Sequence, residues 1–352
     1  MVCSHCGREV NSSHTYLATN GRRICISCVN EHFSLCVSCG YFHEKEKCFP
    51  VEASSGRNYA CESCYQYYRP CSICGELTHS GRDSGEELYC LFCSRQYSDP
   101  IDGYHDSHNR SPIFFDTGKT DNPLYLGIEL EVDKGDDRNV TARSIKAQIM
   151  PKKFIFMETD GSLSDDGFEN ITQPATLDYH LSIADKYEEM FKLLVRDNFR
   201  SHDTNSCGLH IHFNRNFFQD EGDICIVRLL YLVEKFWDNF RKFSRRTQKQ
   251  LDSWARRYNN PPEEVLQNMK DGQIGRYYAI NLSNTHTIEF RLFRGTLKLQ
   301  TFIATLQLVD TIVRKVKSIE SNEELQSITW EDFLVTEELK TYWETVKDRE
   351  PS

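Results

Sequence analysis

Cysteine pairs of the form CxxC dominate the start of this chain and constrain its fold more than any other feature. Thirteen of the fifteen cysteines lie between Cys3 and Cys93. The opening MVCSHCGREV lacks the apolar core of a signal peptide, so we expect a cytoplasmic, reducing environment. In that environment dense CxxC pairs indicate metal binding rather than disulfide bonds. The twelve paired cysteines are Cys3, Cys6, Cys25, Cys28, Cys36, Cys39, Cys61, Cys64, Cys71, Cys74, Cys90 and Cys93.

These pairs belong to a tandem repeat. The motifs CSHCG, CVSCG and CSICG begin at Cys3, Cys36 and Cys71, which are 33 and 35 residues apart, and a second pair closes each unit. Zinc takes four thiolates in a tetrahedron, and each CxxC turn supplies two of them. Units of about 30 residues bury too little apolar surface to fold alone, and metal binding offsets that shortfall.

We therefore predict three zinc-stabilised four-cysteine repeats over residues 1–98. Four-thiolate sites are closed, which favours a structural role for about three zinc ions. Iron–sulfur sites and a crossed pairing of the CxxC turns stay open as alternatives. Cys48 is left over as a spare thiol or, with His43 nearby, as a substitute ligand.

The charge distribution disfavours nucleic acid as a partner. The chain carries a net charge of −10, and residues 1–98 hold nine Lys or Arg against ten Asp or Glu. A protein that grips phosphate backbones needs an excess of basic side chains. We expect the zinc repeats to recruit a protein or peptide instead. The sequence has no apolar run of the roughly 20 residues that span a bilayer, so no membrane association is expected.

The sequence pattern changes after the cysteine repeats. Polar, irregular residues over 99–123 predict a linker. Strands that alternate with long helices follow over 124–320, and a helical extension covers 321–352. The apolar periodicity predicts helices over 177–199, 223–244, 299–317 and 323–345.

Three short segments, LGIELEV, CGLHIHF and HTIEFRLF, share one arrangement. Successive side chains of a strand point to opposite faces, so each segment has an aliphatic face and a face with two polar residues. One such segment alone is most often a half-solvated strand. Three together predict a common polar surface that holds Glu129, Glu131, His210, His212, Glu289 and Arg291.

A fourth segment, METDGSLSDDGFENITQPATL, adds carboxylates at Glu158, Asp160 and Glu169 around a turn. Carboxylates with imidazole and no thiolate suit hard ions such as Mg²⁺ or Mn²⁺. These ions often bind substrate phosphates, which indicates nucleotide chemistry. The chain has no GxxxxGK[ST] or GxGxxG motif, so the nucleotide would not be held as in P-loop or Rossmann proteins.

The ordered motifs GIELEV, ETDGSL with GFE and TQPATL, CGLHIHF, and TIEFRLFRGTL resemble the amidoligase family. That family is similar to glutamate–cysteine ligase and, more distantly, to glutamine synthetase. The match covers about residues 124–310. It implies an α+β fold with a glutamine synthetase-like antiparallel sheet and flanking helices. It also implies ATP-dependent joining of a carboxylate to an amine through an acyl phosphate, so the substrate would be an amino acid, a peptide or a protein.

The resemblance also implies roles for individual residues. The predicted magnesium ligands are Glu129, Glu131, Glu158, Glu169, His210 and Glu289. His212 would lie nearer the nucleotide, and Arg291 with Arg294 would contact phosphates. Asp160 would be a base for the amine or a turn-forming residue. The predicted catalytic set is Glu129, Glu131, Glu158, Asp160 and Arg291.

Two further stretches are candidates for substrate binding. FSRRTQKQLDSWARRYNN carries Arg245, Arg246, Arg256 and Arg257, which form either an anion clamp or a solvated helix face. RYYAINLSN carries Arg276, Tyr278 and Asn281, which we expect to line the pocket. Cys207 is expected to pack rather than react, since acyl phosphate chemistry needs no enzyme nucleophile.

The alternative is a non-catalytic zinc adaptor whose second domain is a degenerate ligase. The retained acidic and histidine motifs argue against it, because like charges on one face are costly without a function.

Overall fold

The computed structural model describes residues 1–11, 14–51, 58–72, 75–79, 88–90, 100–104, 111–118, 121–273 and 275–351. The chain divides into two compact units, Met1–Asp99 and Pro100–Ser352. Each unit has buried hydrophobic clusters of its own.

Within its described residues, the first unit consists of small antiparallel hairpins, two short α-helices and two 3₁₀ helices, Thr19–Gly21 and Lys45–Lys47. In two of the repeats a hairpin strand runs directly into a helix, and the second CxxC pair lies at that junction. The hairpins are β1 (Thr15–Leu17) with β2 (Arg23–Cys25), β3 (Phe33–Leu35) with β4 (Phe42–Glu44), β5 (Cys48–Val51) with β6 (Asn58–Cys61), and β7 (Tyr68–Pro70) with β8 (Leu77–His79). The helices are α1 (Ile26–His32) and α2 (Glu62–Tyr65).

A glycine closes the first CxxC turn of each repeat. Gly7, Gly40 and Gly75 have φ values of +73°, +74° and +71°, a region that side chains with a Cβ rarely adopt. Their amides donate to the carbonyls of Cys3, Cys36 and Cys71 at 2.8–2.9 Å. The positive φ and this hydrogen bond therefore recur at the glycine of all three units.

The second unit is built on an eight-stranded sheet within the described residues. The strand order is β15-β16-β14-β10-β12-β11-β9, with β13 also paired to β10. All pairings are antiparallel except that of β9 with β11, so the sheet is mixed where the sequence predicted it to be antiparallel. The strands are β9 (Ile101–Asp102), β10 (Tyr125–Val132), β11 (Ile155–Glu158), β12 (Phe168–Thr172), β13 (Ala175–Thr176), β14 (Gly208–Asn214), β15 (Ile280–Asn281) and β16 (Thr287–Arg294).

Part of the predicted linker, 99–123, contributes to this sheet. Strand β9 pairs with β11, and Phe115 forms a bridge to Ala175. Both segments are short and lack a hydrophobic alternation long enough to predict a strand.

The helices of the second unit are α3 (Arg138–Ser144), α4 (Leu177–Ser182), α5 (Ala184–Arg196), α6 (Gly222–Lys235), α7 (Trp237–Ser244), α8 (Gln248–Trp254), α9 (Pro262–Lys270), α10 (Leu299–Ser318), α11 (Asn322–Ser327) and α12 (Glu337–Val346). A π-helix (Ile145–Ile149) and 3₁₀ helices (Arg215–Glu221 and Trp330–Phe333) complete them. Three predicted helices are thus divided, at Ile183, at Phe236 and between α11 and α12. The helix predicted over 299–317 is one element, α10.

The aliphatic face of the sheet packs with these helices into one hydrophobic core. Leu126, Ile128 and Leu130 of β10 are at most 2% exposed, as are Leu209 and Ile211 of β14. Alternation then directs the polar residues of the same strands to the opposite face. Among the described residues, every helix is too short or too polar to cross a bilayer.

Candidate metal sites and the cavity on the sheet

Four cysteines converge in the first repeat. Cys3 and Cys28 have their Sγ atoms 3.9 Å apart, and so do Cys6 and Cys25. A tetrahedral zinc with sulfur ligands at about 2.3 Å separates those sulfurs by about 3.8 Å. The cluster is therefore compatible with zinc binding.

The second repeat holds an equivalent cluster of Cys36, Cys39, Cys61 and Cys64, whose sulfurs lie within 4.8 Å of one another. In these two repeats the CxxC turns combine with their neighbours in sequence, so crossed pairing is not adopted there. Cys48 is outside the cluster, although it lies opposite Cys61 in the β5–β6 ladder. The third predicted site contributes buried Cys71 and Cys90, but Cys74 and Cys93 lie outside the described residues, so it stays a prediction.

In the second unit, strand register brings the predicted polar residues together. Glu129 of β10 lies opposite His210 of β14, and His212 lies opposite Glu289 of β16. On the other side of β10, Glu131 lies opposite Glu169, which also faces Glu158 of β11. These side chains line a cavity of about 800 Å³, a volume typical of small-molecule sites.

Glu129, His212 and Glu289 form a first group of ligand atoms, which lie within 4.8 Å of one another. The Nε2 atom of His212 is 3.0 Å from Glu129 Oε1 and 3.9 Å from Glu289 Oε1. His210, the imidazole ligand implied by the resemblance, lies beside this group with Nδ1 3.3 Å from Glu129 Oε2. His212, expected nearer the nucleotide, is the histidine whose atom completes the group.

Opposite charges control the ionisation of this first group. Burial alone would raise the pKa of Glu129, but His212 and His210 hold it well below its usual range. Burial would lower the pKa of His212, but Glu129 and Glu289 raise it to about 9. Glu129 is therefore ionised at neutral pH, and a cation that binds here must displace the proton of His212.

A second group comprises Glu131, Asp160 and Glu169, whose oxygens also lie within 4.8 Å of one another. Burial, followed by the charges of Glu129, Glu131, Asp160 and Glu158, raises the pKa of Glu169 well above its usual range. Such like-charge crowding is costly unless a cation compensates it.

Asp160 has a second structural role in its turn. Its Oδ1 accepts a hydrogen bond from the Ser162 amide at 2.6 Å. The turn-forming role considered from sequence is thus present, and the same bond orients the carboxylate toward Glu131 and Glu169.

Two arginines, the half-buried Arg291 and the fully buried Arg246, face the carboxylates. Arg291 donates from Nη1 to Glu289 Oε1 at 2.5 Å. Arg246 is 1% exposed and donates from Nε to the Phe293 carbonyl at 3.3 Å, while its two Nη atoms have no hydrogen-bond partner in the described part of the chain. Burial lowers the pKa of Arg246 to about 10, so it stays charged at neutral pH. A buried guanidinium with unsatisfied donors favours an anionic ligand.

The rim of the cavity contains aromatic residues that the sequence did not single out. Tyr104, Trp254 and Tyr277 line it, and Arg276 donates to the hydroxyls of Tyr104 and Tyr277 at 3.0 Å each. These rings come from loops and a helix end, where no periodicity marks them. Trp254 and Tyr277 have one sequence signal, the repeated neighbourhood of aromatic residues and arginine in SWARRY and GRYY, and Tyr104 in IDGYHDS has none.

Other predicted residues lie away from the cavity. Arg294 donates to the Arg245 carbonyl at 3.3 Å and is not among the lining residues. Arg256 and Arg257 lie over the rings of Tyr278 and Trp237, so only Arg246 of the four clustered arginines lines the cavity. Cys207 is 1% exposed and also outside the lining, as expected for a packing residue. Asn281, by contrast, lines the cavity and donates to Glu289 Oε2 at 2.7 Å.

No family model and no curated protein matches this sequence.

Proposed function

We propose that this protein is an ATP- and Mg²⁺-dependent ligase that joins a carboxylate to an amine, on an amidoligase-type, glutamine synthetase-like sheet. The observation that carries the proposal is that one cavity holds two three-residue ligand groups together with the buried Arg246 and the half-buried Arg291. Cation sites next to unsatisfied guanidinium donors are what a transferring phosphoryl group requires.

The donor atoms fit magnesium or manganese. Among the described lining residues, six carboxylates accompany three guanidinium groups and two imidazoles. These hard ions suit a ligand set that is rich in oxygen atoms and contains at most one imidazole. The cavity has two such ligand sets, which would hold two ions. When bound, the ions would neutralise phosphate oxygens. Glu129, His212 and Glu289 would hold one ion, and Glu131 and Glu169 would hold the other, beside Asp160.

The arginines supply the remaining positive charge. Arg246 is fully buried with free Nη donors, so a phosphate oxygen can satisfy it without displacing a protein contact. Arg291 is held in place by Glu289 and can stabilise negative charge that develops at the same position.

The reaction balances without a covalent enzyme intermediate. A carboxylate oxygen of the substrate attacks the γ-phosphorus of ATP, ADP leaves, and an acyl phosphate forms. The amine nitrogen then attacks the acyl carbon, inorganic phosphate leaves, and the nitrogen loses a proton to give the amide. Asp160 is oriented by the Ser162 amide and is the proposed acceptor of that proton. The zinc repeats are proposed to recruit the protein or peptide that is modified.

The test is to incubate the full chain with Mg²⁺, ATP and pools of acids, amines and peptides, and to follow ADP and product mass. We expect amine-dependent release of ADP and phosphate, lost in Glu131→Ala and Arg291→Ala and retained in the exposed control Glu338→Ala. Release of AMP and pyrophosphate would overturn the acyl phosphate mechanism. Nucleotide binding without turnover on any pool would favour the adaptor alternative.

A further inference from the structure

A second cavity, of about 830 Å³, adjoins the first on the same face of the sheet. Glu129, Ile171, His212 and Thr287 line both cavities, so the first ligand group forms part of their common wall. Two substrates that occupied the two cavities would meet at this group.

The walls of the second cavity are mainly apolar and neutral. Phe114 and Tyr125 lie with ring centroids 4.8 Å apart, and Pro112 and Pro174 extend the apolar surface. Asn214, the polar side chain at the end of β14, is already engaged, since it accepts from the Tyr125 amide at 2.8 Å and donates to the Asn216 side chain at 2.7 Å.

The arginine of this cavity is also engaged. Arg215 donates from Nε to the carbonyls of Asn284 and Thr287 at 2.8 and 3.0 Å, and from Nη2 to the carbonyl of Leu282. Among the described lining residues, the charged groups besides the engaged Arg215 are Glu129 and His212 of the common wall, and His286 adds an exposed imidazole. A second carboxylate of a ligand would meet no unengaged guanidinium or ammonium group there, whereas an apolar body would bury its surface against Phe114 and Tyr125.

The guanidinium groups divide the two substrates between the cavities. Arg246, Arg276 and Arg291 line the first cavity and are absent from the described lining of the second. The triphosphate needs those cations, so the nucleotide belongs in the first cavity. The second cavity is left for the substrate that the nucleotide activates.

We propose that the second cavity binds the acid substrate and selects an apolar monocarboxylate. Its carboxylate would lie at the common wall, beside the cation held by Glu129, His212 and Glu289, and its neutral body would lie against Phe114 and Tyr125. The inference rests on the proposed ligase function. The acid substrate is thereby limited to monocarboxylates whose remaining part is aromatic or aliphatic. Dicarboxylates and free α-amino acids such as glutamate are excluded.

The experiment measures binding rather than turnover. Calorimetry of the full chain is run with Mg²⁺ and a non-hydrolysable ATP analogue present, and 3-phenylpropanoate, hexanoate, glutarate and L-glutamate are titrated in turn. The analogue is first titrated alone, which tests the nucleotide site separately. We expect the two apolar acids to bind at least about tenfold more tightly than glutarate or glutamate.

Two variants assign that binding to the second cavity. Gly127 lines this cavity and not the first, and a Cβ there would meet only His212 Cβ, at an ordinary 3.7 Å. Gly127→Val should weaken 3-phenylpropanoate binding by about tenfold or more, because its methyl groups occupy the space of the ligand. Phe114→Ala, at a side chain that is 53% exposed, should weaken it several-fold. Gly222→Val is the control, since a Cβ at Gly222 meets open space.

The inference is supported if the apolar acids bind selectively, if Gly127→Val and Phe114→Ala both weaken that binding, and if Gly222→Val leaves it unchanged. Equal or tighter binding of glutarate or glutamate overturns it, and so does apolar-acid binding that neither cavity variant changes. Failure of the nucleotide analogue to bind would instead refute the proposed function itself.

Discussion

In the second ligand group, the free-energy cost of crowding like charges is greatest at Glu169. Its neighbours Glu131 and Asp160 place their oxygens within 4.8 Å, and burial together with these charges raises the pKa of Glu169. A carboxyl group whose pKa is higher in the folded state than in the unfolded state destabilises the fold above its unfolded pKa. Glu169→Gln should therefore stabilise the protein without added Mg²⁺ at pH 7–8, by about 1 kcal/mol, as measured by thermal unfolding.

The same change should weaken Mn²⁺ binding, followed by electron paramagnetic resonance, by about tenfold or more because one ligand charge is lost. Glu338→Gln, at an exposed position, is the matched control and should change neither quantity. A lower melting temperature for Glu169→Gln, or unchanged Mn²⁺ affinity, would show that the group is not a cation site.

Gly208 tests how closely Arg246 and His210 are packed. A Cβ at this position would lie 2.5 Å from Arg246 Nη2 and 2.5 Å from His210 Nε2. Because Arg246 is fully buried and cannot move aside cheaply, Gly208→Ala should weaken binding of an ATP analogue by about tenfold or more in calorimetry. The control Gly222→Ala adds the same methyl group to open space and should bind normally. Unchanged nucleotide affinity in Gly208→Ala would remove Arg246 from the proposed phosphate site.

At this scale the sequence predicted most of the cavity residues because strand alternation is a strong constraint. It did not predict the position of Arg294. Opposite β14, strand β16 carries an extra residue, since Leu209 faces Phe293 while Ile211 faces Phe290. The bulge brings Arg294 opposite Gly208, on the same face of the sheet as His210 but beyond the lining of the cavity, and no residue type in RLFRG predicts it.

Among the elements, the strands and the long helix α10 lie where the hydrophobic periodicity predicts them. The periodicity does not predict where the other helices break. Ile183 and Phe236 interrupt predicted helices with φ/ψ values of −113°/23° and −108°/27°. Both are apolar residues with no glycine or proline beside them, so tertiary packing rather than local propensity sets these ends. Strand β9 was missed for a similar reason, because two residues are too few to show alternation.

Trp330, at the start of the 3₁₀ helix Trp330–Phe333, packs between the C-terminal elements. Its ring lies 5.2 Å from Phe240 of α7 and 5.2 Å from Trp343 of α12, centroid to centroid. Trp330→Ala should lower the free energy of unfolding by about 3–5 kcal/mol in urea titration, because it leaves a large cavity.

Trp254→Ala is the matched comparison. Trp254 lines the first cavity and meets the Tyr277 ring edge-on at 6.0 Å, rather than joining elements. Trp254→Ala should lower the free energy of unfolding much less than Trp330→Ala does, and it should weaken nucleotide binding instead. Equal losses of stability in the two variants would contradict this division between packing and ligand contact.

At the scale of the whole molecule, the zinc repeats and the sheet unit are separate compact bodies along the chain. The sequence predicted the repeats because metal ligands must recur at fixed spacing. We expect about three zinc ions per chain by elemental analysis, one fewer in Cys28→Ser, and no change in the buried control Cys225→Ser. Unchanged zinc content in Cys28→Ser would contradict the pairing of the first repeat.

The central claim is that a substrate carboxylate takes the γ-phosphoryl group of ATP in the cavity on the sheet. The most direct test uses an apolar acid labelled with ¹⁸O in its carboxylate, together with Mg²⁺, ATP and an amine, and determines the mass of the phosphate released. The account predicts transfer of one ¹⁸O atom into inorganic phosphate for each amide formed. Amide formation that leaves the phosphate unlabelled, or that places the label in AMP, would contradict it.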